Sequence, residues 1–142
     1  MAAFNKFQQF VGDLGLKVHN LNSDLIKVYL SNAVPSVSAD AIKTDLAEIT
    51  NQNGYTAPVS VTPTYSQTGG TGTLGGTKVV ITATGAVGPF QYVVLYNDTP
   101  GAPVDPLIGW WDYASAISLA NGETFSIKFN NSDTTGSILT LV

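Results

Sequence analysis

Residues 88–129 read GPFQYVVLYNDTPGAPVDPLIGWWDYASAISLANGETFSIKF, and their reading decides the fold. Phe90 to Tyr96 is apolar at nearly every position. β-Branched and aromatic residues in a run of that length predict a strand covered on both faces rather than a helix. Pro100, Pro103 and Pro106 each lack a backbone donor, so the ladder stops there and a loop is expected. Leu107 to Tyr113 resumes as strand. Ile117 and Leu119, then Phe125, Ile127 and Phe129, alternate with polar residues about Asn121-Gly122, the pattern of a β-hairpin. Both tryptophans and three of the six tyrosines lie in this stretch, which makes it the expected nucleus of the core.

Working outward, Phe4, Phe7, Val11, Leu14 and Val18 recur at three or four residues and predict a short amphipathic helix within residues 1–19. Gly12 and Gly15 weaken it by up to about 1 kcal/mol each, so it needs a surface to dock on. The single histidine, His19, follows the predicted helix end, where a cation is an ordinary stabiliser. Leu25 to Ser31 alternates as a first strand. Thr44 followed by Asp45 and Leu46 marks one or two helical turns, with the Thr44 hydroxyl as cap. Pro58 to Tyr65 reads as an edge strand. Thr68 to Thr77, TGGTGTLGGT, lacks the Gly-Lys-Ser/Thr of a phosphate-binding loop and precedes a strand, so a mobile connection is expected. Strands at 78–84 and 138–142 complete about eight. The expectation is a mainly β fold, a single domain over 1–142 built as a two-sheet antiparallel β-sandwich or jelly roll with a short N-terminal helix.

Composition narrows the function. The chain has 142 residues, enough for one core without staples, and no cysteine, so disulfides and thiolate metal sites are excluded. Six basic residues against ten acidic, a net charge of −4, form no stripe for phosphate contacts, so no nucleic-acid partner is expected. No run is long and apolar enough to span a bilayer and no secretory signal is recognisable, so neither membrane insertion nor Sec export is expected. Charged residues make up only 11%, against roughly 25% in ordinary soluble domains. Such a surface has little electrostatic defence against association, which favours a protein that packs against others.

Asp98, Asp105, Asp112 and Glu123 are the acids worth weighing as a catalytic pair. Asp98 and Asp105 flank a proline-rich turn and Glu123 sits beside a turn tip, places where acids serve the backbone. No catalytic residue, cofactor or metal is expected. Trp110 and Trp111 point to opposite faces of one strand, so one of them needs a cover from the helix, the Gly/Thr loop or another chain. A carbohydrate-stacking platform formed by Trp110, Trp111 and Tyr113 is the alternative reading of this aromatic group.

The blocks FNKF (4–7), HNL (19–21), DLIKVYLSN (24–32), DLAEI (45–49), NGY (53–55), GPFQYVVLYND (88–98), PLIGWWDY (106–113), LANGETFSIKF (119–129) and GSILTL (136–141) resemble small virion proteins of tailed bacteriophages of the head-decoration, or cement, type. The resemblance spans nearly the whole chain. It implies a structural protein of the virion, made in the bacterial cytoplasm, that binds the outer face of the capsid and stabilises contacts between capsomers. Its partners would be the major capsid protein and itself, as a dimer or a trimer. Candidate interface residues are Phe4, Phe7, Val11, Leu14, Pro103, Val104, Trp110 and Trp111. Deleting residues 1–18 is expected to weaken attachment while sparing the fold. The runner-up is a tail or head-fibre adhesion module that binds a host-surface glycan.

Overall fold

The computed structural model describes residues 2–142. The chain forms β1 (Phe4–Lys6), α1 (Gln8–Gly15), β2 (Ile26–Ser31), a 3-10 turn (Lys43–Asp45), β3 (Val59–Ser60), β4 (Thr64–Thr68), β5 (Thr71–Thr77), β6 (Val79–Thr82), β7 (Val87–Asn97), β8 (Leu107–Leu119), β9 (Thr124–Ile127) and β10 (Thr135–Leu141). It is mainly β with antiparallel sheets, as expected. One sheet runs β1-β8-β7-β2-β3, a second β10-β5-β4, and a third pairs β6 with β9.

The register explains why the long apolar runs are strands. Val28 faces Leu95, Leu30 faces Val93 and Val93 faces Trp111, so these side chains share one face of the five-stranded sheet. They pack with Leu74, Val79, Ile81, Ile127, Phe129 and Ile138 of the two smaller sheets, and this is the sandwich core. Tyr29, Val94, Trp110, Tyr96 and Leu107 occupy the alternate positions and point to the other face. That face is buried too, by Phe7, Leu46, Ala33 and Ala57.

The cover is the chain's own segment 33–57, stitched down by backbone. Leu107 N–H donates to Ala41 O at 2.9 Å, Lys43 N–H to Asp105 O at 2.9 Å, and Ile49 N–H to Leu30 O at 3.0 Å. The expected helical turns shrink to the single 3-10 turn. Its cap is the Asp45 carboxylate, which takes the N–H groups of Ala41 and Ile42, rather than the Thr44 hydroxyl. Those two bonds hold the Asp45 carboxyl below its ordinary range.

Three local expectations change. The N-terminal segment is not one helix over 1–19: residues 4–6 pair with β8, Phe4 opposite Trp111, and α1 begins only at Gln8. The buried face of α1 is therefore Phe10 and Asp13, whereas Val11 is 52% exposed. Second, Gly69-Gly70, both at positive φ, turn a β4–β5 hairpin, and the Gly/Thr segment becomes β5, the middle strand of its sheet. Glycine fits there because neighbours occupy the side-chain space. A Cβ on Gly72 would strike the Tyr65 hydroxyl, and one on Gly76 would meet Phe129 and Ile138. Third, the turn at Asn121-Gly122 closes no hairpin. Gly122 has φ 86°, but β8 pairs with β7 while β9 pairs with β6, so the turn carries the chain from one sheet to another.

Because Phe10 is fully buried and Val11 is not, Phe10→Ala is expected to lower the unfolding free energy by about 3–5 kcal/mol, against less than about 0.5 for Val11→Ala. Urea titration followed by circular dichroism measures both. Equal losses would mean that the helix presents a different face to the core.

Candidate interaction surface

The predicted interface residues separate into two groups. Phe7 is completely buried and Trp111 is 5% exposed, so neither offers contact area to a partner. Trp111 lies between Phe4 and Phe129, with ring centroids 5.1 and 5.5 Å away. Trp110 leans on Phe7 at 4.5 Å and packs against the cluster that Phe7 forms with Tyr29, Leu46 and Tyr96. The second tryptophan therefore receives part of its cover from within the chain, by Phe7, and stays partly exposed. Of the rings that could stack on a sugar, Trp111 is buried, whereas Trp110 and Tyr113 keep partial exposure. Phe4 and Leu14 are half-buried against the core.

Val11, Val104 and the partly exposed Pro103 remain available, on two different parts of the surface. The first is the outer side of α1, where Val11 is followed by Leu16 at 75% exposure. Val37 lies at the helix start, because Gln8 N–H donates to Val37 O at 3.0 Å. The second is the loop after β7. Val104 is 59% and Leu25 53% exposed. Leu25 N–H bonds Thr99 Oγ1 at 2.8 Å, and Asp98 N–H returns to Leu25 O at 2.8 Å, which fixes the β2 entry to this loop. Leu16, Leu25 and Val37 escape sequence reasoning because each sits beside a polar or turn residue rather than on a periodic stripe.

Charges underlie the second part. Lys27 Nζ meets Asp98 Oδ2 at 2.5 Å, and Tyr96 donates to the other Asp98 oxygen at 3.3 Å. Lys43 Nζ meets Glu48 at 2.6 Å and stands 4.9 Å over the Tyr29 ring and 5.8 Å over that of Tyr96. Tyr29 donates to Leu46 O at 2.9 Å, and Tyr55 donates to Glu48 at 3.2 Å while accepting Leu30 N–H at 2.8 Å. Burial first, then the Glu48 charge, pushes the Tyr29 hydroxyl far above its ordinary range, while burial and Asp98 do so for Tyr96. These phenols are fixed hydrogen-bond donors, not bases. Asp105, at φ 51°, is also pushed up, by burial and then by the neighbouring Asp98 charge.

The remaining acids serve the backbone. Asp112 accepts Gln91 Nε2 at 2.9 Å and Ala114 N–H at 2.7 Å, supporting the irregular turn of β8 where Ala114 has φ 69°. Glu123 accepts Ala120 N–H at 2.7 Å across the sheet-to-sheet turn. Among the described residues no three His, Asp or Glu side chains converge as a metal site, and no helix is long and apolar enough to cross a membrane.

His19 departs most from its expected role. Asn97 Nδ2 donates to Asp24 Oδ2 at 2.6 Å and lies 3.0 Å from His19 Nδ1. An amide oxygen facing the Asp24 carboxylate would be repelled, so nitrogen belongs there, and Nδ1 must accept. The imidazole is therefore neutral, with its proton on Nε2, and is buried rather than a solvated cation. It borders a shallow depression of about 290 Å³ lined by Leu14, Lys17, Leu21, Tyr65 and Leu141 among others. Its signal in the sequence was only its solitude.

Asp105 gives a pH test. Its folded pKa lies above the unfolded value, so its contribution favours folding at low pH and is lost as pH rises through that window. Asp105→Asn is expected to raise stability at pH 7 by about 0.2–1 kcal/mol and to leave it unchanged at pH 3. A urea midpoint that falls at pH 7 would contradict the pairing of like charges.

Comparison of the chain with models of protein families, with curated proteins and with solved structures found no match.

Proposed function

We propose that this chain is a head-decoration protein of a tailed bacteriophage, which binds the outer capsid surface as a homo-oligomer and braces neighbouring capsomers. The observation that carries this reading is the sequence resemblance, whose GPF and GWWDY blocks fall on β7 and β8 and whose LYND block spans the end of β7. Two features agree with it. The surface is poor in charge, and exposed aliphatic side chains stand on the α1 side and on the 99–106 loop. Many copies of a modest contact, repeated over a lattice, suffice to strengthen a shell. The acids serve backbone and lysine partners, so a structural role asks nothing further of them.

The geometry redirects the mutational test. Removing residues 1–18 would delete β1, Phe7 and Phe10, two of which plug opposite faces of the large sheet, so that truncation cannot spare the fold. Point changes at exposed positions serve instead. Purified protein is mixed with heads lacking decoration, and the pellet and an electron-microscopy map are examined for regularly placed copies. Val104→Asp with Leu25→Asp, or Val11→Asp with Leu16→Asp, is expected to weaken co-sedimentation at least about tenfold while unfolding midpoints stay close to wild type. Absence of density on heads, with no co-sedimentation of the wild-type chain, would end this reading.

A further inference from the structure

We infer that His19 is an acid-sensitive latch: neutral, it locks residues 16–24 onto the end of β7, and its protonation frees that segment while the sheets stay formed. The inference stands apart from the capsid reading and rests on the bonding around Asn97. That amide is fully used. Its nitrogen serves both Asp24 and His19, and its oxygen accepts Thr99 N–H at 3.1 Å. Asp24 Oδ2 also accepts Asn20 N–H at 2.7 Å, so one buried network joins the segment after α1 to β7 and to the loop beyond it.

A proton arriving at Nδ1 turns the acceptor into a donor that faces the Asn97 amide donor. Rotating the amide does not repair the contact, because its oxygen would then confront Asp24 and abandon Thr99. The lock consequently breaks at one point. The charged and titratable groups around the ring are Asp13 of α1, Lys17 and Asp24 of the following segment, and Tyr65 of β4. Beyond Asn97, Asp98 is already held by Lys27. Burial opposes the imidazolium and outweighs the attraction of Asp13 and Asp24, which places the folded pKa below the ordinary value. His19 Nε2 and Asp13 Oδ2 are both buried without a partner, so the closed latch contains a donor and an acceptor that a movement of the segment would release to water.

The sign follows from linkage. The unfolded or opened segment binds the proton more readily, so closure is complete above the ordinary histidine range and weakens as pH falls through it toward the lowered folded value. In that window the opening constant rises as pH falls, by at most about tenfold per pH unit, the limit for one proton. The chain's one histidine gives a single imidazole NMR signal, which makes the test direct. Amide exchange, corrected for its intrinsic pH dependence, is followed in the full chain from pH 7 to 5. The expected result is an imidazole midpoint below 6.5, together with opening that increases at residues 16–24 and not in β7 or β8. His19→Gln, which keeps an acceptor for Asn97, is expected to abolish the pH dependence of that opening. A midpoint at or above the ordinary value, unchanged exchange at 16–24, or exchange that rises equally in β7 and β8 overturns the latch. The wild-type titration decides the matter even if the variant does not fold.

Discussion

The antiparallel pairing of β7 with β8 is the constraint on which everything else hangs. It places Val93 and Leu95 against Trp111 and Gly109 with one face inward, and Val94 and Tyr96 against Trp110 and Leu107 with the other. Two faces of that character cannot both meet water. Burying one large apolar side chain contributes about 1.5–3 kcal/mol, so a sheet half uncovered would forgo several such contributions. The smaller sheets cover one face. The other is closed by Phe7 and the 33–57 segment, and that is why a protein with so much strand also carries a long irregular stretch.

The two covers differ in chemistry for a physical reason. A second sheet satisfies its own backbone groups, so it presents mainly apolar side chains, such as Leu74, Ile81 and Phe125. An irregular cover brings unpaired carbonyls, and the sheet beneath must supply donors. Tyrosine does both tasks, burying a ring and delivering a hydroxyl. Tyr29 reaches Leu46 O and Ser31 Oγ reaches Ala47 O at 2.6 Å, both from β2 into the same part of the cover. Lys43 packs its cation over Tyr29 while pairing with Glu48, so even the buried side of the cover is electrically matched.

The same physics explains what could be read from sequence. Phe90 to Tyr96 and Leu107 to Tyr113 are legible because both-face burial writes itself as a continuous apolar run, and β2 because its alternation is strong. The chemistry of Asn121-Gly122 was legible as a turn, but its destination was not, since pairing partners are chosen by contacts far along the chain. β5 defeated local reasoning because its glycines have low strand propensity and are selected by the bulk of Tyr65, Phe129 and Ile138 across from them. The N-terminal stripe misled by one helical position. Phe4 and Phe7 fit a helical period yet belong to a strand and its exit, each claimed by a tryptophan of β8. Of the interface residues, the exposed valines were legible only as apolar, and the aromatic ones looked equally apt for core or contact until their neighbours were known.

Strands buried on both faces have a consequence for where recognition can reside. In many β-proteins a solvated sheet face supplies the binding surface, but here the centre of the five-stranded sheet is covered on both sides and the far half of β8, from Asp112 to Ser118, meets solvent. What remains besides are loops, strand edges and the outer side of α1, which are the regions that vary most easily without disturbing the core. The 99–106 loop is anchored at both ends, by Asp98 on Lys27 and Leu25 and by Asp105 O on Lys43 N–H, so its exposed Val104 is presented from a fixed base. A side chain displayed on an anchored loop loses little freedom when it meets a partner, and that lowers the entropic cost of each contact. For an assembly held by many weak contacts, a rigid aromatic interior and a few aliphatic side chains on fixed loops are therefore complementary parts of one arrangement.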